Sequence, residues 1–207
     1  MCFRAWGLWL QRGGSDNMPE YKQTDISQRI TKQEAIKMCF NARTYRDKTI
    51  IALMYMIPVR PEELSKLKRS DFKLERSTDT GNPLSIEFHI ETKKLKKTRF
   101  YPKRYFEFNR EDIPDIFFKA IWKYVSHLKD YDLLFPITKR RIRQIVDKLG
   151  MNTMGRHLCP YAFRHSTLTR YAEEGKGIED LMYLKGAGDI KSISPYLHGK
   201  KQKIKIK

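Results

Sequence analysis

The chain has 207 residues, of which 40% are apolar, and its 42 basic and 24 acidic side chains give a formal net charge of +18. This length and apolar fraction allow a packed core in one or two domains and exclude a disordered chain. A cationic excess of this size indicates a polyanionic partner, and it favours nucleic acid over an acidic membrane surface.

Cysteine usage and hydropathy bear on the compartment. Cys2, Cys39 and Cys159 are odd in number and widely spaced, which excludes a disulfide framework and a CxxC metal site. No apolar run approaches the roughly 20 residues that a membrane-spanning helix needs. We therefore expect a cytoplasmic protein with no membrane partner.

The first part of the chain predicts a short linker followed by two helices. Residues 1–24 contain a GGSDN joint and remain an unassigned segment. Thr31 and Glu34 form a capping box that begins a helix running to about Asn41. The apolar run IIALMYMI at 50–57 then predicts a buried helix, which Pro58 ends.

The stretch VRPEELSKLKRSDF at 59–72 places an arginine at the start of a helix. Pro61 suits the first helical position, so Arg60 lies where free amides and the helix dipole also favour an anion. A phosphate would be attracted there. The alternative is that Arg60 only pairs with Glu62 or Glu63, and the residues alone leave both interpretations open.

A hairpin with a basic tip follows. Leu84, Ile86, Phe88 and Ile90 alternate with polar residues, which predicts a strand over 84–91 with these four side chains buried. TRFYP, at 98–102, predicts the returning strand. Between them lies a tip that is either simply solvated or able to reach a DNA phosphate, and its lysines are Lys93, Lys94, Lys96 and Lys97.

Two helices follow the hairpin. Residues 114–128 predict the first, and TKRRIRQIVDKLG at 138–150 predicts the second, with Gly150 as its end. Its apolar stripe consists of Ile142, Ile145, Val146 and Leu149. The opposite face is basic and could follow a DNA backbone, and its residues are Lys139, Arg140, Arg141 and Arg143.

The last part predicts a helix over PYAFRHSTLTRYAEEG that Gly175 ends, and a shorter one that Gly186 ends. Tyr196 follows in the SISPY segment, and residues 200–207 contain five lysines. The order is helices, a small sheet, then helices. The predicted fold class is therefore mainly α with a small antiparallel β-sheet (α+β).

The order of these motifs resembles the catalytic domain of the tyrosine recombinases, the phage-integrase family, over about residues 25–207. VRPEELSKLKRSDF is similar to the first box of the family and YAFRHSTLTRYAEEG to the second. The resemblance implies that Arg60 and Arg164 are catalytic arginines and that Tyr196 is the nucleophile. Among the tip lysines it favours Lys94 as the catalytic one, with Lys93 and Lys96 as alternatives.

The resemblance implies a site-specific recombinase of a virus or mobile element that joins DNA through a 3′-phosphotyrosyl intermediate. It implies no metal or nucleotide cofactor, a double-stranded DNA partner, and a homotetramer on DNA formed from monomers in solution. A viral protein would act in the cytoplasm of its host cell. Residues 1–24 are too few for the DNA-clamping domain usual ahead of this unit, which leaves a naturally short form or a fragment.

Two positions depart from the family pattern. A histidine usually precedes the second arginine by three residues, but Tyr161 stands there, as in some archaeal and viral integrases with a YxxR box. The later histidine or tryptophan is replaced by Ala187. Because both lost groups would assist proton handling, we expect slower chemistry than in a complete site. His165 is expected to be a buried support, and Tyr161 either packs or contacts phosphate.

Two other functions stay open from the sequence. One is a DNA-binding relic or regulator that keeps the basic surface but does not cleave. The other is a nicking and closing enzyme of the type IB topoisomerase kind, which shares the active-site chemistry and needs no partner subunits. Tyr171 and Tyr183 compete with Tyr196 as nucleophiles, but both lie inside helical patterns.

Overall fold

The computed structural model describes residues 29–92 and 102–197, which contain eight α-helices and three strands. The elements follow the predicted order of helices, sheet and helices. The helices before the sheet are α1 (Lys32–Asn41), α2 (Tyr45–Met56) and α3 (Pro61–Leu64); the strands are β1 (Phe72–Arg76), β2 (Pro83–Glu91) and β3 (Lys103–Asn109); the later helices are α4 (Asp115–Ser126), α5 (Lys139–Met154), α6 (Pro160–Glu173), α7 (Ile178–Lys185) and α8 (Ser194–Leu197).

Helix α2 forms the centre of the core. The side chain of Thr44 caps its N-terminus by accepting a hydrogen bond from the Asp47 amide at 3.2 Å. Residues 50–54 are all buried, and the helix packs against α1, α4 and α6. The predicted central helix is confirmed, and it begins five residues earlier than the apolar run.

The sheet is antiparallel in the order β1-β2-β3. Phe88 pairs with Phe72 on one side and with Phe106 on the other, so aromatic rings cover its inner face. The prediction that Leu84 is buried was wrong, since it is 50% exposed. The register of the β1–β2 pair shifts between Glu75 and Arg76. At this end of β2 the alternation changes, so that Ser85 is buried and Leu84 is exposed.

The strand that returns from the hairpin lies further along the chain than predicted. Strand β3 runs over Lys103–Asn109, whereas the prediction was 98–102, of which 98–101 lie outside the described residues. Strand β1 was not predicted from the sequence. Its alternation is short and contains charged residues on both sides, which is a weak signal for a strand.

Helix α5 is longer than the sequence predicts, and the prediction that Gly150 ends it was wrong. The helix continues to Met154, and Gly155 ends it in a left-handed conformation with φ of 66°. Gly150 is required for another reason. A Cβ there would lie 2.8 Å from Leu158 Cγ and 2.9 Å from the Arg156 carbonyl oxygen, so the glycine lets the following segment fold back against the helix.

The last helices attach to the core through α6. Thr167 Oγ1 donates to the Tyr55 carbonyl at 3.0 Å, which joins α6 to α2. Leu181, Ala187 and Ile193 form a second, smaller apolar cluster that joins α7 to the segment before α8. The predicted ends of α6 and α7 are confirmed by glycines with positive φ at 175 and 186.

Within the described ranges, no helix combines the length and the apolar character needed to cross a bilayer.

Cys39 and Cys159 are free thiols, and burial raises the pKa of Cys39 to about 12.

The close approach at Gly150 predicts an unusual response to alanine. In an unobstructed helix Gly→Ala stabilises by roughly 0.5–1 kcal/mol. We expect Gly150→Ala instead to lower the free energy of unfolding by about 1–3 kcal/mol, because the new methyl group overlaps Leu158 and a backbone oxygen. Urea denaturation measures this, with Gly155→Ala as the control in open space, where only the positive φ is penalised. A gain in stability for Gly150→Ala would contradict the prediction.

Candidate active site

Arg60 lies at the N-terminus of α3, as the sequence predicts, and it pairs with Glu63 of the same short helix. Its amide donates to Glu63 Oε2 at 2.8 Å and its Nη1 donates to Oε1 at 2.9 Å. The Glu63 side chain is buried, whereas that of Arg60 is 22% exposed. The ion pair that was one of the two interpretations therefore exists, and part of the Arg60 side chain remains accessible.

Arg164 approaches the same carboxylate from α6. Its Nη1 donates to the Pro58 carbonyl and lies 3.9 Å from Glu63 Oε2, and its Nη2 donates to the Lys185 carbonyl at 2.6 Å. Burial lowers the pKa of Arg164 to about 10, and the charge of Arg60 adds to this effect while Glu63 opposes it. The guanidinium still carries its charge at neutral pH.

A third arginine at Glu63, Arg104 of β3, was missed by the sequence analysis. Its fully buried side chain places Nη2 3.0 Å from Glu63 Oε2 and donates from Nη1 to the Leu184 carbonyl at 2.6 Å. Burial lowers its pKa. The alternation of the strand could have revealed it, because Arg104 shares the inner face with Phe106 and Phe108.

The base of the hairpin lies beside this arginine cluster. The amide of Thr92 donates to the Pro102 carbonyl at 2.9 Å, which closes the two strands. A Cβ on Gly186 would lie 3.0 Å from Thr92 Cγ2 and 3.2 Å from Arg104 Nε, so the end of α7 packs against the hairpin base. The predicted tip lysines, Lys93, Lys94, Lys96 and Lys97, lie outside the described residues.

Tyr196 lies on α8 and is 9% exposed. Its hydroxyl is 3.5 Å from His165 Nε2. Burial raises the pKa of Tyr196 to about 12, although the positive charge of Arg164 acts in the opposite direction. At neutral pH the phenol is therefore protonated, and it lies within the electrostatic influence of a guanidinium.

His165, which was expected to be a buried support, is only partly buried and also contacts Tyr196. Its ring centroid is 5.2 Å from that of Tyr196. Burial lowers the pKa of His165, and the charges of Lys185 and Arg164 lower it further. Its Nδ1 has no hydrogen-bond partner in the part of the chain that the structure describes. The imidazole is thus neutral at pH 7, and its Nε2 can accept a hydrogen bond from the phenol.

Lys185, the last residue of α7, is a second side chain that the sequence analysis missed. Its Nζ donates to the Ser192 carbonyl and lies 5.1 Å from the centre of the Tyr196 ring. Burial lowers the pKa of Lys185 to about 8, and the charges of Arg164 and Arg60 contribute. The sequence signal was weak, since a lysine in the last turn of a helix is common.

The two positions that depart from the family pattern lie in different environments. Tyr161, in the first turn of α6, is 43% exposed. Ala187 is buried in the apolar cluster with Leu181 and Ile193. Neither residue therefore supplies a group that could take up a proton inside the cluster of Arg60, Arg164 and Tyr196.

The predicted basic face of α5 is exposed along its first two turns. Its members are Lys139, Arg140, Arg141 and Arg143. Lys139 Nζ is 2.9 Å from Glu62 Oε1 on α3, which connects this face to the helix that begins at Arg60. Arg141 Nη1 donates to Gln144 Oε1 at 3.2 Å. The basic face and the arginine cluster are therefore joined through α3.

The competing tyrosines occupy other environments. Tyr171 Oη donates to the Met56 carbonyl at 2.7 Å, and the hydroxyl of Tyr183 accepts a hydrogen bond from the Tyr105 amide at 2.5 Å. The charge of Arg164 lowers the pKa of Tyr196, whereas the charge that lowers the pKa of Tyr171 is that of Arg170.

Comparisons with known proteins agree with the resemblance. Residues 28–203 match the phage integrase family. The chain is 26% identical over 177 residues to tyrosine recombinase XerA of Pyrococcus horikoshii. The aligned region covers 81% of this chain and 55% of that relative. The chain thus spans about half the length of that relative.

Solved structures share the fold. A crystal structure of XerA recombinase superposes with a TM-score of 0.63 at 20% identity, covering 84% of this chain and 61% of that one. A pre-cleavage complex of XerH site-specific recombinase bound to its difH substrate gives a TM-score of 0.61 at 18% identity, with coverage of 83% and 50%. The expected fold class is confirmed.

The clustering of arginines around one buried carboxylate predicts a large cost for neutralising it. We expect Glu63→Gln to lower the free energy of unfolding by about 3–5 kcal/mol, because it leaves buried guanidinium groups without their counter-charge. The matched control is Glu62→Gln on the same helix, where the exposed pair with Lys139 is worth at most about 1 kcal/mol. Chemical denaturation compares the two, and equal losses would contradict the prediction.

Proposed function

Because the chain belongs to the phage integrase family, we propose that it is a site-specific DNA recombinase that cleaves and rejoins strands through Tyr196. The observation that carries this proposal is the meeting of Arg60, Arg164 and Tyr196 at one place, with the charge of Arg164 acting on the phenol.

The arginines suit the charge of the reaction. When the Tyr196 oxygen attacks phosphorus, the five-coordinate transition state carries extra negative charge on its non-bridging oxygens. Arg60 and Arg164 are charged at neutral pH and can each donate more than one hydrogen bond. Glu63 neutralises only part of the positive charge around it, since Arg104 approaches it as well. A phosphate would supply the missing negative charge.

The phenol must lose its proton as it attacks. A pKa of about 12 makes this costly at neutral pH, and a nearby guanidinium and a bound phosphate act on it in opposite directions. His165 Nε2, 3.5 Å from the hydroxyl, can hold that oxygen in position by accepting its hydrogen bond. We propose this as a positioning role.

The leaving 5′ oxygen needs a proton, and we propose that Lys94 donates it, with Lys93 and Lys96 as alternatives. The tip that carries them continues from a hairpin base that lies against the end of α7, next to Arg104. The bond to Tyr196 then conserves the energy that a second 5′ hydroxyl needs to rejoin the strand.

DNA binding is proposed for the exposed basic face of α5, together with Lys93, Lys96 and Lys97 at the hairpin tip. Arg140, Arg141 and Arg143 lie on one side of the helix, where they can contact successive phosphates. Such contacts position the duplex but do not read its sequence. Since this face is joined to α3 through Lys139, it would lead a DNA backbone towards Arg60.

We further propose that residues 25–207 form the catalytic domain and that four subunits act on two duplexes. Exchange between two duplexes cleaves four strands, and four subunits would provide one Tyr196 for each cleavage, with the phenol released again when a 5′ hydroxyl rejoins the strand. Monomers in solution would assemble on DNA. The biological setting that fits is the integration or excision of a virus or mobile element.

A covalent-adduct assay tests the proposal. We expect the wild-type chain to form a protein–DNA adduct on a nicked suicide duplex, visible on a denaturing gel, and Tyr196→Phe to form none because it lacks the attacking oxygen. The controls are Tyr171→Phe and Tyr183→Phe, which should still form the adduct. Loss of the adduct in either control, with Tyr196→Phe active, would contradict the assignment of the nucleophile.

The same assay separates the other two functions. A DNA-binding relic would shift the duplex in a native gel but form no adduct. A nicking and closing enzyme would form the adduct and relax supercoiled plasmid without exchanging strands between two sites. Strand exchange that depends on Tyr196 supports the recombinase.

Tyr161 gives a prediction about rate. Because Tyr161 cannot act as an efficient base, we expect Tyr161→His to raise the single-turnover cleavage rate about 10- to 100-fold at pH 7.5. Its exposed position in the first turn of α6 should accept the imidazole without loss of stability. Tyr161→Phe is the matched control, which keeps the ring and should not accelerate cleavage. An unchanged or lower rate for the histidine variant would show that the reaction is not limited by this position.

A further inference from the structure

Lys185 carries a charge that the residues around it do not balance. Its Nζ is half-buried at the end of α7, and its polar partner is the carbonyl oxygen of Ser192. Within residues 29–92 and 102–197, no carboxylate forms an ion pair with it. Buried or half-buried ammonium groups are normally paired, because the loss of hydration is otherwise uncompensated.

The neighbours of this ammonium are other cations and the candidate nucleophile. Arg164 and Arg60 both lower the pKa of Lys185 through their charge, and Lys185 in turn lowers that of His165. Its Nζ lies 5.1 Å from the centre of the Tyr196 ring. The ammonium therefore lies beside the Tyr196 ring and within the electrostatic influence of both arginines.

The position of Lys185 is also anchored to the site. Its carbonyl oxygen accepts the 2.6 Å hydrogen bond from Arg164 Nη2, so the backbone at 185 is held by the same guanidinium that is proposed to bind phosphate. The next residue, Gly186, adopts φ of 62° and packs against Thr92 and Arg104.

We infer that Lys185 is a further cationic contact for the phosphate that Tyr196 attacks, with its ammonium binding a non-bridging oxygen. This inference rests on the proposed function. Repulsion among Lys185, Arg164 and Arg60 is relieved when an anion enters between them, so each cation favours the bound phosphate and its more highly charged transition state. Lys185 would thus supply a charged donor that the buried methyl group of Ala187 cannot.

The test compares Lys185→Met with the wild-type chain on a suicide duplex at pH 7.5. Methionine keeps the length of the side chain and removes the charge. We expect the single-turnover cleavage rate to fall about 100-fold, while duplex affinity changes by less than about 3-fold, because one donor to the developing charge is lost. Lys191→Met, which removes an exposed lysine six residues further on, is the charge-matched control and should cleave at the wild-type rate.

A second substrate distinguishes phosphate contact from a structural role. Replacing the scissile phosphate by methylphosphonate removes the charge of one non-bridging oxygen, and its two stereoisomers are assayed separately. For the isomer that lacks the oxygen bound by Lys185, we expect the wild type and Lys185→Met to differ by less than about 3-fold. Melting temperatures are measured for each variant, and all rates are compared at a temperature where every variant is folded.

The outcomes are separable from those of the proposed function. If the wild type forms its Tyr196 adduct and Lys185→Met cleaves natural DNA equally fast, the assignment of Lys185 is overturned and the recombinase proposal stands. An equal penalty on natural DNA and on both methylphosphonate isomers would also overturn it, since a structural role would act on all substrates alike. If the wild type forms no adduct, the proposed function fails and this assignment fails with it.

Discussion

The candidate active site depends on one buried carboxylate. Glu63 holds Arg60 from its own helix, Arg104 from the sheet and Arg164 from α6, with the pairs at 2.9, 3.0 and 3.9 Å. A carboxylate in a medium of low dielectric attracts each guanidinium strongly, and the guanidinium groups would repel one another without it. The electrostatic need to surround Glu63 therefore ties the sheet and both helical parts of the domain to a single point.

This arrangement leaves a net positive charge around the candidate nucleophile. Burial raises the pKa of Tyr196 to about 12 and lowers that of Lys185 to about 8, so both groups are shifted towards their neutral forms before any anion enters. An entering phosphate would change this balance by restoring counter-charge. Interactions that exist only with the phosphate, and strengthen as its charge grows, are the kind that accelerate a reaction.

Much of the fold follows from local sequence rules, whereas the roles of Arg60, Arg164 and Tyr196 were predicted from the family resemblance. The capped helix at Thr31, the apolar run of α2 and the stripe of α5 were predicted because helix periodicity and capping are short-range properties. The failures have long-range causes. Leu84 is exposed where the register between β1 and β2 shifts, and the pairing of Glu75 with Ser85 and of Arg76 with Pro83 leaves it without a partner on β1. Gly150 lies inside α5 and does not end it. A glycine is needed there because Arg156 and Leu158, which follow the helix, pack closely against it.

By itself the sequence determined the order of the elements and the basic surface, and the resemblance of its motifs to a family predicted Arg60, Arg164 and Tyr196 as site residues, because the order and spacing of motifs are one-dimensional properties. Only the tertiary structure decided that Arg104 shares Glu63 with the other arginines and that Lys185 lies beside the Tyr196 ring. These contacts join residues that are 41 and 11 positions apart. Chain folding brings such residues together, and no pattern along the chain encodes the distance between their side chains.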